Sequence, residues 1–416
     1  MPGSLEWLVP GLGLKRWLVL ASVGGVLLLA AVLVGIGALW APLLLRGLGM
    51  GGLEGRHGVA LLLAVDGFVA GLALLLYGGR RLWLFQRTTP ETVSELRAVS
   101  RLARGPRVVA VGGGNGLAAL LRGLKAHTSN LTAVVTMADD GGSSGLLRRD
   151  MGLPPPGDLR NCLVALADDE SMMSRLFRYR FPADGGLQGH SFGNLFMAAL
   201  SEVTGDFERA VHESTRVLKV RGRVLPSTLD DVVLHAQLEG GGHVSGESTI
   251  TASARLPRRV WLTPEAPRGV PQAIAAIAAA DLVVLGPGSL YTSVIPNVLV
   301  PEVRAALAAT RARVVYVCNV MTEPGETDDY TAADHLAALH RHGLEGVVDA
   351  VLVNEAPVSE DLVAAYGRSG ARPVPADVAR LEGLGVKVEH AAVAAESDVV
   401  RHDPGRLSRA LLRLVR

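Results

Sequence analysis

Hydrophobic and polar positions divide the chain into an apolar N-terminal part and a longer part in which apolar runs alternate with polar turns. Residues 17–45 carry no charge, and residues 59–85 are apolar apart from Asp66, Arg80 and Arg81. Each run is longer than the about 20 helical residues that cross a hydrocarbon core. The sequence therefore predicts two transmembrane helices, at about 17–40 and 59–79, in a membrane anchor that spans residues 1–88.

The charges that flank these spans predict their orientation. Basic residues lie beyond the outer ends of both spans, namely Lys15, Arg16, Arg80, Arg81 and Arg87, whereas the connection holds only two arginines. Because basic residues favour the cytoplasmic side, we expect a multi-pass protein of the cell membrane whose following domain lies in the cytoplasm. Asp66 inside the second span fits a functional role and, equally, a helix-paired acid without chemistry.

Residues 89–105 are polar with helical spacing, and Thr89 followed by Pro90 suits a helix start. We expect a helical linker there, whose arginines form a solvated face. An α/β domain is expected from residue 106 to residue 416.

The α/β domain opens with a strand, a glycine turn and a helix. Val108–Val111 is typical of a buried strand, and the glycines that follow it are Gly112, Gly113, Gly114 and Gly116. Glycines let a backbone approach a ligand closely, and the N-terminus of the next helix offers unpaired N–H groups to an anion. Leu117 stands where the dinucleotide fingerprint requires glycine. The turn therefore predicts a phosphate or carboxylate site rather than an NAD site.

A second turn, after the predicted strand 131–137, adds carboxylates. Its residues are Asp139, Asp140, Gly141, Gly142, Ser143 and Ser144. The carboxyl ends of parallel strands lie along one edge of a sheet, where ligands bind. Carboxylates there can take ribose hydroxyls or a divalent cation, and glycine N–H groups and serine hydroxyls can donate to an anion. The alternative is an Asx turn that caps the next helix.

Seven sequence blocks together are similar to one protein family. They are VGGGNGL from Val111, ADDGGSSGLLR from Ala138, PPGDLRN from Pro155, GHSFGNL from Gly189, LGPGSLYTSVIPN from Leu285, CNVMTEPGETDDYTAADH from Cys318 and VRHD from Val400. Roughly the last three quarters of the chain resembles the YvcK/CofD family of gluconeogenesis factors and 2-phospho-L-lactate transferases. Asn115 departs from the expected pattern, in which many relatives have threonine.

The remaining blocks extend the predicted ligand site. Asp158 fits a helix cap and also a third acid beside Asp139 and Asp140, and the resemblance favours the ligand site. The other predicted ligand residues are Arg160, Asn161, His190, Ser191, Asn194, Gly286, Gly288, Ser289, Tyr291, Thr292, Asn319, Glu326 and Thr327. His190 is expected to bind rather than to act as a base, because the sequence pairs it with no nucleophile. Tyr366 and Arg401 join the site because they resemble positions of nucleotide-sugar recognition in the regulatory branch.

Later strands are predicted at 281–285, 313–318 and 347–353. Three short β-like runs, at 232–238, 243–250 and 258–262, predict an antiparallel insertion instead of another βαβ unit. Whether this insertion forms a wall of a cleft or a dimer contact is open.

Composition and motifs exclude several classes of protein. The chain has 41 basic and 40 acidic residues, so its net charge of +1 gives no footprint for nucleic acid. Cys162 and Cys318 lie in apolar surroundings and indicate reduced thiols rather than a disulfide. The sequence has no Ser/His/Asp triad, zinc motif or Walker lysine. We expect a three-layer, Rossmann-like α/β domain with a mostly parallel sheet and a small β-rich insertion, preceded by two transmembrane helices.

The resemblance implies two functions of different classes. The first is a regulator that binds a nucleotide sugar such as UDP-N-acetylglucosamine and links carbon metabolism to cell envelope synthesis and cell shape. The second is a transferase that would move a phospholactyl group to a deazaflavin precursor, with Mg²⁺ at Asp139, Asp140 or Asp158. The complete GETDDYTAADH and GSLYTS blocks favour the regulator, and no catalytic residue is assigned.

The expected partners follow from these two functions. They are a nucleotide sugar or another phosphorylated small molecule and, through the N-terminal helices, the membrane. A homodimer and cell-envelope enzymes stay open as partners, and nucleic acid is not expected. Mg²⁺ is the cofactor that the transferase alternative would need.

Overall fold

The computed structural model describes residues 14–47, 54–86, 100–167, 172–182, 186–396 and 400–415. The chain forms two compact units, Met1–Arg101 and Leu102–Arg416. The predicted start of the linker helix, at Thr89 and Pro90, lies outside the described residues, whereas residues 100–103 are helical.

The first unit is a pair of long helices, α1 at Leu14–Gly47 and α2 at Glu54–Gln86. They approach closely because small residues face each other: a Cβ on Gly24 would lie 2.8 Å from the carbonyl oxygen of Gly71. Their segments 16–40 and 59–81 are long and apolar enough to cross a membrane. Large apolar side chains on both helices point outward, with Leu29 64% and Leu62 68% exposed, unlike those of a helix in a soluble core.

The second unit is built on seven strands. They are β1 at Val108–Gly112, β2 at Leu131–Val135, β3 at Arg223–Pro226, β7 at Leu282–Leu285, β8 at Arg313–Val317, β9 at Ala350–Asn354 and β10 at Lys387–Ala391. Their order is β10-β9-β8-β7-β1-β2-β3, and every pair is parallel. All residues of β1, β2 and β7 are buried, as in a sheet that is covered on both faces.

The α-helices of the second unit cover this sheet. They are α3 at Gly114–Leu124, α4 at Gly142–Met151, α5 at Gly157–Leu166, α6 at Met172–Arg178, α7 at Phe192–Thr204, α8 at Phe207–Val217, α9 at Glu247–Ala252, α10 at Pro271–Ala278, α11 at Ile295–Val298, α12 at Pro301–Ala309, α13 at Ala332–Leu339, α14 at Glu360–Gly367, α15 at Val378–Gly383 and α16 at Pro404–Leu412. Two π-type turns lie at Leu290–Val294 and His340–Leu344. Helices α3, α5 and α16 pack together, as do α10 and α12. The predicted α/β fold is confirmed.

The predicted antiparallel insertion is present as a separate three-stranded sheet. Its strands are β4 at Val233–Leu238, β5 at His243–Ser245 and β6 at Pro257–Thr263, in the order β5-β4-β6. The predicted run 243–250 is wrong after residue 245. Gly246 has φ +96, which turns the backbone out of the strand, and α9 follows directly.

Two strands of the main sheet, β3 and β10, are not predicted by the sequence pattern. Both form edges of the sheet. Arg223 of β3 is exposed, and no residue of β10 is fully buried. Edge strands have fewer apolar positions, so their periodicity is weak.

The C-terminal segment packs against α3, the helix that follows β1. A hairpin of β11 at Ala394–Glu396 and β12 at Val400–His402 leads into α16. The side chain of Asp403 accepts a hydrogen bond of 2.6 Å from the N–H of Arg406 and so caps this helix. Helix α16 lies so close to α3 that a Cβ on Gly123 would collide with the carbonyl oxygen of Pro404.

Candidate functional site

The strand order reverses direction at β1. From there β2 and β3 extend the sheet on one side, and β7 to β10 extend it on the other. Ligands of open parallel sheets bind outside the carboxyl ends of the strands at such a switch point. The loops that leave β1 and β7 are the glycine turns 112–116 and 286–289, so these two predicted turns meet there.

A cleft of about 750 Å³ opens between the two turns. The predicted ligand residues that line it are Gly113, Gly114, Asn115, Gly116, Asp139, Asp158, Gly288, Ser289, Thr292, Asn319, Tyr366 and Arg401. They come from both glycine turns and the turn 290–294, from the loop after β2, from the start of α5, from the segment after β8, from α14 and from the C-terminal hairpin.

Glycine is required where the two turns touch. A Cβ on Gly116 would lie 2.5 Å from the carbonyl oxygen of Pro287 and 3.0 Å from the Cα of Gly288. Gly288 has φ +152 and Gly114 has φ +64, conformations that other residues rarely adopt. The bare backbones of the two turns therefore form one continuous wall.

The first turn of α3 is part of this wall and faces the cleft. Its cap residue, Gly113, has no side chain and so forms no side-chain cap hydrogen bond of its own. The carboxylate of Asp158 takes a hydrogen bond from the backbone of Gly114, which counteracts part of the rise in the pKa of Asp158. The following N–H groups, of Asn115 and Gly116, belong to the first helical turn and are positioned for an anion.

Carboxylates gather at one end of the cleft. Asp139, Asp158 and Glu247 line it, and no sequence pattern predicts Glu247. Burial first and then the charge of Asp139 raise the pKa of Asp158 to about 6. Burial first and then Asp139, Asp140 and Asp158 raise the pKa of Glu247 to about 7. The negative charges of these groups repel one another, and a proton, a cation or hydroxyl donors would relieve that repulsion.

The carboxylates do not form a complete cation site by themselves. Among the described residues no three acidic, histidine or cysteine side chains are arranged to hold a metal ion. Asp139 accepts the N–H of Gly141 at 2.9 Å, and Asp140 accepts the N–H of Ser248 at 2.8 Å instead of lining the cleft. Mg²⁺ is usually held by one or two carboxylates together with phosphate oxygens. Asp139 and Asp158 fit that role only with a phosphorylated ligand present.

The segment after β8 forms the opposite wall. Asn319 accepts the N–H of Gly288 at 3.3 Å, and its amide donates to the Oε1 of Glu323 at 3.2 Å. These bonds hold the β7 glycine turn against the segment 319–324, which lines the cleft.

The C-terminal hairpin closes a third side. The hydroxyl of Tyr366, on α14, accepts the N–H of Val400 at 3.0 Å. Arg401 is exposed and faces the cleft from β12. The Nε2 of His402 lies 3.2 Å from the carbonyl oxygen of Cys318, and burial lowers the pKa of His402 to about 4, so this side chain is neutral at pH 7.

Behind the cleft lies a group of polar side chains that hydrogen bond mainly to each other. We call it the polar layer; its members are Ser143, Ser144, Arg160, Asn161, His190, Ser191 and Asn194. Arg160 donates to Ser191 at 2.5 Å and to Asn161 at 2.7 Å. Asn194 donates to Ser143 at 3.1 Å, and Ser144 accepts the N–H of Gly157 at 3.1 Å. These bonds tie together the starts of α4, α5 and α7.

His190 has a partner that the sequence does not reveal. Its Nδ1 lies 3.1 Å from the hydroxyl of Ser143, although 47 residues separate them. The sequence pattern does not predict this pair, and the role expected for His190 in ligand binding stays a prediction. Ser143 is buried at 5% exposure and lies outside the cleft wall, so this pair belongs to the polar layer.

Three further predicted residues lie in the core beneath the β7 turn. Tyr291 is fully buried, and its hydroxyl contacts Tyr330 at 2.9 Å and accepts from Arg341 at 3.1 Å. Glu326 is buried and accepts the N–H groups of Tyr291 and Thr292 at 2.8 and 2.9 Å. Thr327, also buried, accepts the N–H of Glu323 at 2.9 Å. This block holds the 290–294 turn in place.

The predicted residues outside the cleft wall are Gly112, Asp140, Gly141, Gly142, Ser143, Ser144, Arg160, Asn161, His190, Ser191, Asn194, Gly286, Tyr291, Glu326 and Thr327. Polar residues that line it without having been predicted are Arg122, Thr136, Glu247, Ser293, Thr322, Glu323, Ser369 and His402. Ser293, Thr322, Glu323 and His402 lie inside the sequence blocks that resemble the family, so the sequence could have predicted them. Arg122 lies on α3, and Glu247 starts the short helix of the insertion, so no local pattern marks either residue.

A family model described as 2-phospho-L-lactate transferase CofD matches residues 108–394. The chain belongs to the YvcK/CofD family. The gluconeogenesis factor of Bacillus subtilis, a member at 47% identity over 316 residues, is matched along 100% of its length by 76% of this chain. A family member from Nostoc sp. is 46% identical over 430 residues, which cover 98% of this chain and 92% of its own.

The fold of this YvcK/CofD family member is shared with a solved structure. The crystal structure of a UPF0052 family protein from Bacillus halodurans has 47% identity and a TM-score of 0.72, and it covers 74% of this chain and 99% of its own. The α/β unit thus matches a whole chain in that relative, whereas the Nostoc alignment extends over nearly all of the present chain.

Proposed function

We propose that the cleft binds a nucleotide sugar of the UDP-N-acetylglucosamine type and that the protein acts as a regulator rather than an enzyme. The observation that carries the proposal is the wall formed by two glycine turns at the switch point of the sheet, with the start of α3 aimed at it. Backbone N–H groups at such a wall suit a diphosphate.

The size and chemistry of the cleft support this ligand class. Its volume of about 750 Å³ lies within the range of small-molecule pockets. Asp139, Asp158 and Glu247 offer acceptors for sugar or ribose hydroxyls at one end, and Tyr366 and Arg401 face the cleft from the hairpin. The histidine in the cleft wall, His402, has its Nε2 near a carbonyl oxygen and is a poor general base.

The relatives support the regulatory part of the proposal. Named gluconeogenesis factors match this chain at 47% and 48% identity. We infer that ligand occupancy of the cleft reports carbon supply and, through the membrane unit, adjusts cell envelope synthesis and cell shape.

The two-helix unit is proposed to be a membrane anchor that leaves the α/β unit in the cytoplasm. Two apolar helices of sufficient length and basic residues at their outer ends support this. Full-length protein should stay in the membrane pellet after carbonate extraction, and residues 102–416 should be released. Recovery of the full-length chain in the soluble fraction would contradict the proposal.

The ligand is tested by thermal shift and calorimetry on residues 102–416, against UDP-N-acetylglucosamine, UDP and GDP, each with and without Mg²⁺. A ligand at 100 times its dissociation constant stabilises the folded state by about 2.7 kcal/mol, which is a shift of a few degrees. Arg401→Gln should weaken binding of the uridine sugar about tenfold, whereas the exposed control Arg413→Gln should not. Equal affinity of the two variants for the uridine sugar would show that Arg401 does not contact the ligand.

A transferase of the CofD type is a second candidate, because the mutual repulsion of Asp139, Asp158 and Glu247 would be relieved by a cation that also contacts phosphates. This candidate requires binding of GDP and a deazaflavin precursor that depends on Mg²⁺ and strengthens as pH rises through 6 to 7, where these acids ionise. If only the uridine sugar binds and no turnover is detected, the transferase candidate is excluded and the regulator is supported.

A further inference from the structure

A second pocket, of about 660 Å³, lies where the insertion meets α12 and the 340–344 turn. It shares no lining residue with the cleft. Its wall combines strand β6, helix α12 and the 340–344 turn, with contributions from β4 and β5. The pocket is therefore a feature of the insertion, to which the function proposed for the cleft assigns no role.

The wall of this pocket is strongly basic. Arg259, Arg304 and Arg341 supply three guanidinium groups, against the one carboxylate of Glu265, which leaves two positive charges in excess. Burial lowers the pKa of His342, so its ring is neutral at pH 7. The whole chain has a net charge of only +1. The pocket thus carries a local charge that matches a dianion.

The arginines keep N–H donors available for an anion. Among the described residues none forms an ion pair with Arg259 or Arg304. Arg341 is oriented by its hydrogen bond of 3.1 Å to the hydroxyl of Tyr291. Arg304 lies over Gly343, which has φ +97, and a Cβ there would be 2.7 Å from the Cδ of Arg304. The backbone turn at Gly343 therefore makes room for this side chain.

An aromatic wall adjoins the arginines. Trp261 stacks on His235 with ring centroids 5.5 Å apart and planes inclined by 11°. His243 contacts the same indole edge-on, also at 5.5 Å. The Nε2 of His342 accepts the N–H of Val260 at 3.1 Å, which fastens β6 to the 340–344 turn. The indole is held at a fixed position in the pocket and keeps part of its surface accessible.

Exposed arginines usually form a solvated face of one helix, but these three come from a strand, a helix and a turn and converge on a concavity. Guanidinium groups bind phosphate with paired, charge-assisted hydrogen bonds. We propose that this pocket binds a phosphate monoester of a small molecule, with the arginines holding the phosphate and Trp261 contacting the organic part.

The test uses the full-length chain in detergent and phenyl phosphate as the probe, with phenol and inorganic phosphate as partial probes. Trp261 is the one tryptophan after residue 83 in the sequence, so the fluorescence difference between wild type and Trp261→Phe reports this pocket. Phenyl phosphate should change the Trp261 signal and bind more tightly than either partial probe. Arg259→Gln with Arg304→Gln should weaken binding about tenfold or more.

The matched control neutralises two arginines that lie outside this pocket. Arg258 and Arg311 are exposed and line neither pocket, so Arg258→Gln with Arg311→Gln should leave affinity within twofold. If the double variant of the pocket is unfolded by circular dichroism, the exposed Arg259→Gln alone replaces it. Equal binding by pocket and control variants, or no Trp261 response at millimolar probe, would overturn the proposal. A dimer that dissociates only in the pocket variant, without probe binding, would also overturn it and assign the surface to a second copy.

Discussion

The cleft wall and the polar layer behind it differ in how many of their polar groups already have partners within the protein. Asn115 and Gly116, in the first turn of α3, present backbone to the cleft. The N–H groups of Gly114 and Gly288 already bind Asp158 and Asn319. Arg160, two residues after the cleft residue Asp158, instead donates to Ser191 and Asn161 within the protein. A polar group with a protein partner stabilises the fold, and one without such a partner is available to a ligand.

The largest effect is expected where the two glycine turns touch. Gly116→Ala places a methyl group 2.5 Å from the carbonyl oxygen of Pro287, so the turns must separate. We expect a loss of about 2–3 kcal/mol in the free energy of unfolding and loss of ligand binding, measured by urea unfolding and calorimetry. Gly383→Ala is the control, because a Cβ there meets nothing within 4 Å. Similar effects of the two substitutions would show that the contact of the turns is unimportant.

The next effect tests the polar layer. Arg160→Met leaves Ser191 and Asn161 without their donor and should cost about 2 kcal/mol of unfolding free energy. Ligand affinity of the folded protein should change less than threefold. Arg209→Met, at an exposed position on α8, is the matched control. A collapse of affinity at unchanged stability would instead place Arg160 in the binding surface.

A smaller effect follows from the carboxylates. Asp158, with a pKa of about 6, and Glu247, with a pKa of about 7, hold protons in the folded state that the unfolded chain releases at lower pH. Their contribution to stability therefore falls as pH rises from about 4 to 7, by on the order of 1 kcal/mol in these partly exposed groups. The double variant Asp158→Asn with Glu247→Gln should lose this part of the decrease in the free energy of unfolding with pH, measured by urea unfolding between pH 4 and pH 7.

Comparison with that double variant is essential, because the buried histidines act in the opposite direction. Burial lowers the pKa of His335, His342 and His402, so their contribution to stability rises with pH. If the free energy of unfolding changes with pH equally in the wild type and the double variant, the folded state does not raise the pKa values of Asp158 and Glu247.

The smallest effect is expected at Glu326. Burial, followed by the neighbouring charge of Glu323, raises the pKa of Glu326 well above its ordinary value, which favours the protonated side chain. Glutamine matches the protonated form and can accept the same N–H groups of Tyr291 and Thr292. Glu326→Gln should change the free energy of unfolding by less than about 0.5 kcal/mol and leave ligand affinity unchanged. A tenfold loss of affinity would show that the ionised carboxylate contacts the ligand.

The sequence by itself determined the elements and their order. Apolar runs of strand length, glycines directly after them and helical spacing beyond are local patterns, so β1, β2, β7, β8 and β9 were predictable. The two long apolar helices were predictable for the same reason. The edge strands β3 and β10 were not, because burial on fewer positions leaves little periodicity in the sequence.

Only the tertiary structure decided which polar residues face the cleft. His190 contacts Ser143 across 47 positions of the chain, and Glu247 enters the cleft from an insertion more than 100 residues after Asp139. Whether a side chain is satisfied or available depends on the partners that distant segments bring to it. Local sequence patterns fix the backbone at each turn, but hydrogen-bond partners are fixed only when the sheet brings those turns together.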